Sequence, residues 1–274
     1  MHSVSANGAE IPAIGLGTWT LRGDACARTV AEAIRAGYRH IDTAVDYGNE
    51  AAVGEGIRAS GVPRDALFVT TKIPAESLAD GDSQRCVEAS LRRLGLDRVD
   101  LVLIHWPSRR LSVAETIRPL NDAKRRGLTR HIGVSNFTVA LLAEAWAATK
   151  EPLVANQCEY HPYLNQDRVL AACRARGMAF TAYCPLGRTM VFDEPVIAGL
   201  AARKARTPAQ IVLRWEVQQG VVPIPKSGNR ERIRENLDVF GFTLDEAEMA
   251  SISALTKTHH QRICDFGFSP KWDA

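Results

Sequence analysis

Short apolar runs alternate with amphipathic stretches along most of the chain, and the hydrophobic period switches each time from strand-like to helix-like. The runs predict strands near residues 14–16, 38–42, 67–72, 99–105, 130–134, 153–157, 178–183 and 221–225. Helical spacing between them predicts helices over 24–36, 50–60, 83–94, 112–126, 138–148, 166–176, 194–204 and 208–218. Several ends are readable. Thr207-Pro208-Ala209-Gln210 sets a hydroxyl at the N-cap, proline at the first helical position and glutamine at the third, which is a capping box. Gly37, Gly61, Gly95, Gly127, Gly177 and Gly220 each follow a helical run, where a left-handed residue stops it. Strands alternating with helices make a parallel sheet, and eight strands close a barrel. The expected fold is therefore α/β, a (β/α)8 TIM barrel. Ahead of it, Asn7-Gly8 sits between short alternating runs and predicts a β-hairpin that plugs one end. One G-x-G-x-x-A match, Gly54 to Ala59, raises a Rossmann sheet as a competitor, but it lies inside a predicted helix instead of between a strand and a helix start.

Composition narrows this picture. A length of 274 residues suits one barrel of about 250 residues, and no hinge or low-complexity tract divides it, so residues 1–274 are expected to form one domain. The net charge is +3, with Lys and Arg scattered among Asp and Glu, which argues against nucleic acid as a partner. Six cysteines never fall as C-x-x-C, and the start MHSVSANGAEIP lacks the basic-then-apolar order of a signal peptide, so a reduced, cytoplasmic protein is expected. No apolar stretch reaches the roughly 18 residues of a membrane span. His259-His260 with Cys264 lacks zinc spacing, so no metal is expected and the tail is read as solvent-exposed.

Candidate chemistry lies where strands stop. Asp42 follows YRHI, Tyr47 comes five residues later, Lys72 closes LFVTTK and His105 closes VDLVLIH. A parallel barrel gathers such residues from separate strands around one mouth. A buried Lys–Asp pair beside a tyrosine hydroxyl favours the phenolate, which would make Tyr47 a general acid of lowered pKa. His105 across the pocket would orient the carbonyl oxygen, and a nicotinamide hydride would attack the carbon. Singly, each residue has a plain structural explanation: a loop cap, a packed ring, a surface lysine, a satisfied core histidine. Their joint placement at strand ends favours chemistry.

The strings IDTAVDYGNE, TTKI, LVLIHWP, GVSNF, NQCEYHPY, YCPLG and IPKSGNRERIRENL, in this order, resemble the aldo-keto reductase superfamily from Gly15 to beyond Asn236. Within it the chain is similar to bacterial 2,5-diketo-D-gluconate reductases that also reduce methylglyoxal, down to the closing Pro270-Lys271-Trp272-Asp273. The resemblance implies NADPH/NADP+ as cofactor, small aldehydes and ketones as substrates, and a monomer. It matches Asp42, Tyr47, Lys72 and His105 to the catalytic tetrad. It also implies that Ser135, Asn136 and Gln157 hold the nicotinamide carboxamide, that Tyr183 stacks on its ring, and that Leu186 and Gly187 pass over the pyrophosphate. Gly17, Thr18, Trp19 and Asp42 complete the cofactor wall. Lys226, Ser227, Arg232, Glu235 and Asn236 match the segment that grips the adenosine 2'-phosphate, where two cations argue for NADPH. For Gln157 and Asn136 the plain alternative is polar groups satisfied at strand ends, and for RERIRENLD a solvated charged face.

Substrate residues are expected to be Trp19, Asp46, Tyr47, His105 and Trp106. Asp46 departs from the family pattern, which is commonly apolar before the tyrosine. It is expected either to contact a substrate hydroxyl or cation and repel carboxylates, or to face solvent. Cys184 stands where the family often has serine, a weaker donor towards pyrophosphate. The tail after Thr258 is expected to form a shallow lid with Phe266, Phe268 or Trp272 at the mouth. Two other classes fit less well. A cofactor-binding regulatory subunit would have little use for the tetrad, and a Schiff-base lyase using Lys72 would have none for a 2'-phosphate grip.

Overall fold

The computed structural model describes residues His2 to Asp273. Two short strands, β1 (Ser3–Ala6) and β2 (Ala9–Pro12), pair antiparallel across Asn7-Gly8. Both turn residues have positive φ, 45° and 87°, the twist a two-residue hairpin needs. Ala6, Ala9 and the fully buried Ile11 pack against Phe68, Leu101, Leu103, Val154 and Val222. The Asn7 amide donates to the carbonyls of Leu153 (2.8 Å) and Arg176 (2.9 Å), which lie where two barrel strands begin. The hairpin thus plugs the barrel at the N-terminal ends of its strands, as its pattern predicts.

Eight parallel strands follow: β3 (Leu16–Gly17), β4 (His40–Asp42), β5 (Phe68–Ile73), β6 (Val99–Ile104), β7 (Thr129–Ser135), β8 (Leu153–Glu159), β9 (Ala179–Tyr183) and β10 (Val222–Pro223). Each pairs with the next in sequence. Backbone bonds from Gly15 N to Pro223 O (2.9 Å) and from Gly17 N to Pro225 O (3.1 Å) join first to last and close the (β/α)8 barrel. Gly17 must be glycine for that seam, since a Cβ there would lie 2.7 Å from the Ile224 carbonyl oxygen.

Around the barrel run α1 (Gly23–Ala36), α2 (Glu50–Ser60), α3 (Asp82–Leu94), α4 (Val113–Arg125), α5 (Val139–Ala148), α6 (Asp167–Arg174), α7 (Pro195–Lys204) and α8 (Pro208–Gln218). All eight lie where helical periodicity places them. The six glycines expected to end helices have positive φ, and the Thr207–Gln210 capping box forms. Two further helices, α9 (Arg230–Leu237) and α10 (Glu246–Thr258), follow the last strand. α9 carries Arg232 and Asn236 four residues apart, and neither α9 nor α10 is among the helices expected from periodicity. The signal for α10 was present in the Asp245–Glu248 capping box.

The G-x-G run lies in α2 and serves helix packing. A Cβ on Gly54 would come 2.0 Å from the Leu94 carbonyl oxygen, and one on Gly56 would come 2.5 Å from that of Ala27. Glycine there lets α2 approach its neighbours closely. Among the described residues no helix is long and apolar enough to cross a membrane.

Candidate active site

The strand register carries Asp42, Ser135, Gln157 and Tyr183 to the C-terminal ends of β4, β7, β8 and β9. Lys72 is the penultimate residue of β5, and His105 directly follows β6. Tyr47 comes from a short 3-10 turn, Val45–Tyr47, that Gly48 ends with a φ of 62°. One cleft of about 670 Å3 opens above these ends.

Lys72 is fully buried, and its Nζ donates to Asp42 Oδ1 (2.5 Å), to the Thr43 carbonyl (2.8 Å) and to the Tyr47 hydroxyl oxygen (3.4 Å). Gln157 Nε2 donates to the other Asp42 oxygen at 2.7 Å. Asp42, 1 % exposed, is therefore bonded on both carboxylate oxygens, which is how a buried charge is tolerated. The ammonium also sits 4.9 Å from the Tyr47 ring centroid. Burial pulls the Lys72 pKa down and Asp42 opposes it. All three bonds of its ammonium go to protein oxygens, and Lys72 is not among the residues that line the cleft.

One expectation is corrected. The tyrosine pKa is pushed well up instead of down, first by burial and then by the charges of Asp42, Cys184, Asp46 and Cys264. Desolvation of a phenolate deep in the cleft outweighs the single ammonium. Tyr47 therefore holds its proton at neutral pH, as a proton donor must.

A second chain of bonds crosses the cleft. The Tyr183 hydroxyl donates to Asn136 Oδ1 (2.8 Å), and Asn136 Nδ2 donates to the His105 carbonyl (3.0 Å) and Ser135 Oγ (3.2 Å). Ser135 Oγ donates to the Gln157 carbonyl at 2.7 Å. Asn136 holds a left-handed φ of 63° to do this. Both amides are thus engaged within the protein, so the plain reading of satisfied polar groups describes them as the chain stands. They nevertheless line the cleft.

The cleft brings together Gly17, Thr18, Trp19, Asp42, Asp46, Tyr47, His105, Trp106, Ser135, Asn136, Gln157, Tyr183, Leu186, Lys226 and Arg232. It does not reach Gly187, Ser227, Glu235 or Asn236; Asn236 is buried, while Glu235 is exposed. Lys226 and Arg232 are exposed, and neither makes an ion pair or side-chain hydrogen bond with the described residues. Arg188 was not anticipated. It too lines the cleft, with its guanidinium 5.3 Å from the Trp19 ring centroid, in a loop where Cys184, Gly187, Arg188 and Thr189 all have positive φ.

The tail forms one wall. Glu159, fully buried at the end of β8, accepts from the backbone amides of Ile263 and Cys264, both at 2.6 Å, and faces His161 Nε2 at 3.0 Å. Burial raises its pKa, but His161 and the two amides together hold it below the usual carboxylate range. This carboxylate pins the tail so that Phe266 lines the cleft, while Phe266, Phe268 and Trp272 pack edge-on against Trp106 with ring centroids 5.2 to 6.1 Å apart. The expected shallow aromatic lid is thus formed. Cys184 hydrogen-bonds Cys264, which lowers the Cys184 pKa and raises that of Cys264. His259 stacks on Tyr163, with ring centroids 4.1 Å apart.

Asp46 reaches His105 from the turn before Tyr47. Its carboxylate lies 2.9 Å from His105 Nδ1 while its side chain stays 43 % exposed at the cleft.

The aldo/keto reductase family pattern matches residues 13–257. The chain belongs to the aldo-keto reductase family. Methylglyoxal reductase DkgB of Escherichia coli O157:H7 is 42 % identical over 266 residues, covering 96 % of this chain and 99 % of the relative. An aldo-keto reductase of Mycobacterium avium is 44 % identical over 248 residues, 90 % of this chain and 87 % of its own. A crystal structure assigned as a 2,5-diketo-D-gluconic acid reductase B superposes with a TM-score of 0.96 at 41 % identity, covering 100 % of this chain and 98 % of the other. A Bombyx mori aldo-keto reductase in complex with NADP superposes with a TM-score of 0.92 at 35 % identity, covering 99 % and 97 %. The protein is an oxidoreductase of this family.

Proposed function

We propose that this aldo-keto reductase reduces small aldehydes and ketones, dicarbonyls such as methylglyoxal or diketo-gluconate-type sugar acids, to alcohols, with NADPH as reductant and Tyr47 as proton donor. The observation that carries this reading is the Asp42–Lys72–Tyr47 chain, placed with His105 on a cleft whose far arm holds two exposed cations. The residues fit NADPH. Lys226 and Arg232 offer charge to a 2'-phosphate, Ser135, Asn136 and Gln157 offer paired donors and acceptors to a carboxamide, and Tyr183 offers an aromatic face. Gly17, Thr18, Trp19, Leu186 and Gly187 would flank the rest, and Ser227, Glu235 and Asn236 would support the 2'-phosphate end from outside the cleft wall. When bound, NADPH supplies the hydride.

Everything else is done by the chain. Tyr47, protonated at neutral pH, faces the oxygen on which negative charge develops and gives up its proton there. Lys72, 3.4 Å from the phenol oxygen, stabilises the phenolate left behind. Asp42 fixes that ammonium by its 2.5 Å bond, and His105, from the facing strand, orients the oxygen when its Nε2 carries a proton. Trp19 and Trp106 bound the space for the substrate, and the aromatic tail narrows it. The relatives named for methylglyoxal and diketo-gluconate reduction support the substrate class.

The loss of NADPH absorbance with methylglyoxal, a diketo-gluconate and an aromatic aldehyde tests the reading. Turnover with at least one dicarbonyl is expected, and no turnover with any carbonyl by protein that binds NADPH would convert the enzyme into a binder.

A further inference from the structure

Asp46 and His105 come from turns after two different strands, 59 residues apart in sequence, yet meet at 2.9 Å between Oδ2 and Nδ1. An ionised carboxylate can only accept, so the proton in this bond belongs to Nδ1. Nε2 has no hydrogen-bond partner among the described residues and is the open nitrogen on a ring that lines the cleft. Two forms of the ring satisfy Asp46. One is neutral with a bare, accepting Nε2, and the other is the imidazolium with an Nε2–H donor. The neutral Nε2–H form, which could donate to a carbonyl oxygen without carrying charge, is the one Asp46 disfavours.

We propose that Asp46 is a positioning residue that holds the His105 proton on Nδ1, so that His105 donates to a substrate carbonyl only as the imidazolium. In the neutral form the bare Nε2 suits a substrate that brings its own donor, a hydroxyl beside the carbonyl. The catalytic consequence rests on the reductase reading, whereas the tautomer does not.

The groups facing His105 set when this matters. Burial lowers its pKa most, the Asp46 bond raises it, Lys72 lowers it, and the Asp46 and Asp42 charges raise it. The net direction is downward, so the ring is neutral at pH 7 and gains its proton in acid. Tyr47 packs edge-on to it, ring centroids 5.7 Å apart, and stays protonated throughout this range. Reduction of a carbonyl without a neighbouring hydroxyl therefore gains from acid, and the gain is lost as pH rises through the His105 pKa. Removing Asp46 takes away a group that raises this pKa. The side-chain amide introduced by Asp46→Asn can donate or accept, and so suits either tautomer; the substitution frees His105 to donate from Nε2 while neutral.

The test is 15N NMR of the imidazoles in the full chain with NADP+, one of seven histidines being assigned through His105→Gln, alongside the pH profile of kcat/KM for methylglyoxal. Wild type is expected to show neutral His105 with the proton on Nδ1. Its kcat/KM should fall by up to about tenfold per pH unit above the imidazole pKa, as for a required acid. Asp46→Asn and Asp46→Ala should move the proton towards Nε2, and their profiles should vary by less than about twofold over the same range. A wild-type Nε2–H tautomer, or variants with unchanged tautomer and profile, overturns the proposal. A wild-type Nδ1–H tautomer in a protein that reduces no carbonyl would keep the tautomer assignment and sink the reductase reading, so the two failures are distinguishable.

Discussion

The two arms of the cleft are built on opposite principles. At the catalytic arm Asp42, Lys72 and Gln157 stand on three strands and are at most 2 % exposed, and Asp42 accepts from both of the others. At the far arm Lys226 and Arg232 stand on a loop and on the short helix α9, exposed and without side-chain partners among the described residues. The first arm has its geometry fixed by strand register before any ligand arrives, which is what a proton donor requires, since misplacement by about 1 Å can cost about a hundredfold in rate. The second keeps its charge available for an anion. Burial with partners fixes position, and exposure without them preserves affinity for something else.

The contrast can be broken most forcefully at the buried arm. Lys72→Met leaves Asp42 charged and unpaired beneath the cleft, and breaking such a pair costs about 3–5 kcal/mol. Thermal unfolding should show that loss, while Lys72→Met with Asp42→Leu should recover most of the stability without recovering turnover. Recovery of turnover in the double variant would mean the pair is structural only. A smaller effect is expected at the exposed arm. Lys226→Ala and Arg232→Ala should each leave stability within about 0.5 kcal/mol of wild type, as for surface changes. Each should weaken NADPH binding by about tenfold, consistent with loss of a charge-assisted contact, and NADH binding by less than about twofold. Equal losses for both dinucleotides would remove these residues from the 2'-phosphate.

The buried arm was the more legible of the two in the sequence, because Asp42, Lys72 and His105 each end or directly follow an apolar run and register alone brings them together. The hairpin at Asn7-Gly8 and the eight barrel helices were legible for a similar reason: their signals are local. What escaped depends on contacts between distant segments. The Glu159 clamp on Ile263 and Cys264 spans more than a hundred residues, and Asp46 with His105 spans 59. No spacing rule encodes either. Arg188 was missed because its place on the cleft follows from a loop of consecutive left-handed residues, which sequence marks only at Gly187. The direction of the Tyr47 pKa was misjudged because pairing with Lys72 was visible in the sequence and the depth of burial was not.

Tyr47→Phe removes one hydroxyl and keeps the ring that packs against His105. With NADPH and methylglyoxal its kcat is expected to fall by about 10²- to 10⁴-fold, the usual contribution of a positioned acid, while the dissociation constant for NADPH is unchanged. Turnover equal to wild type would contradict this role for Tyr47 and move proton donation to another group.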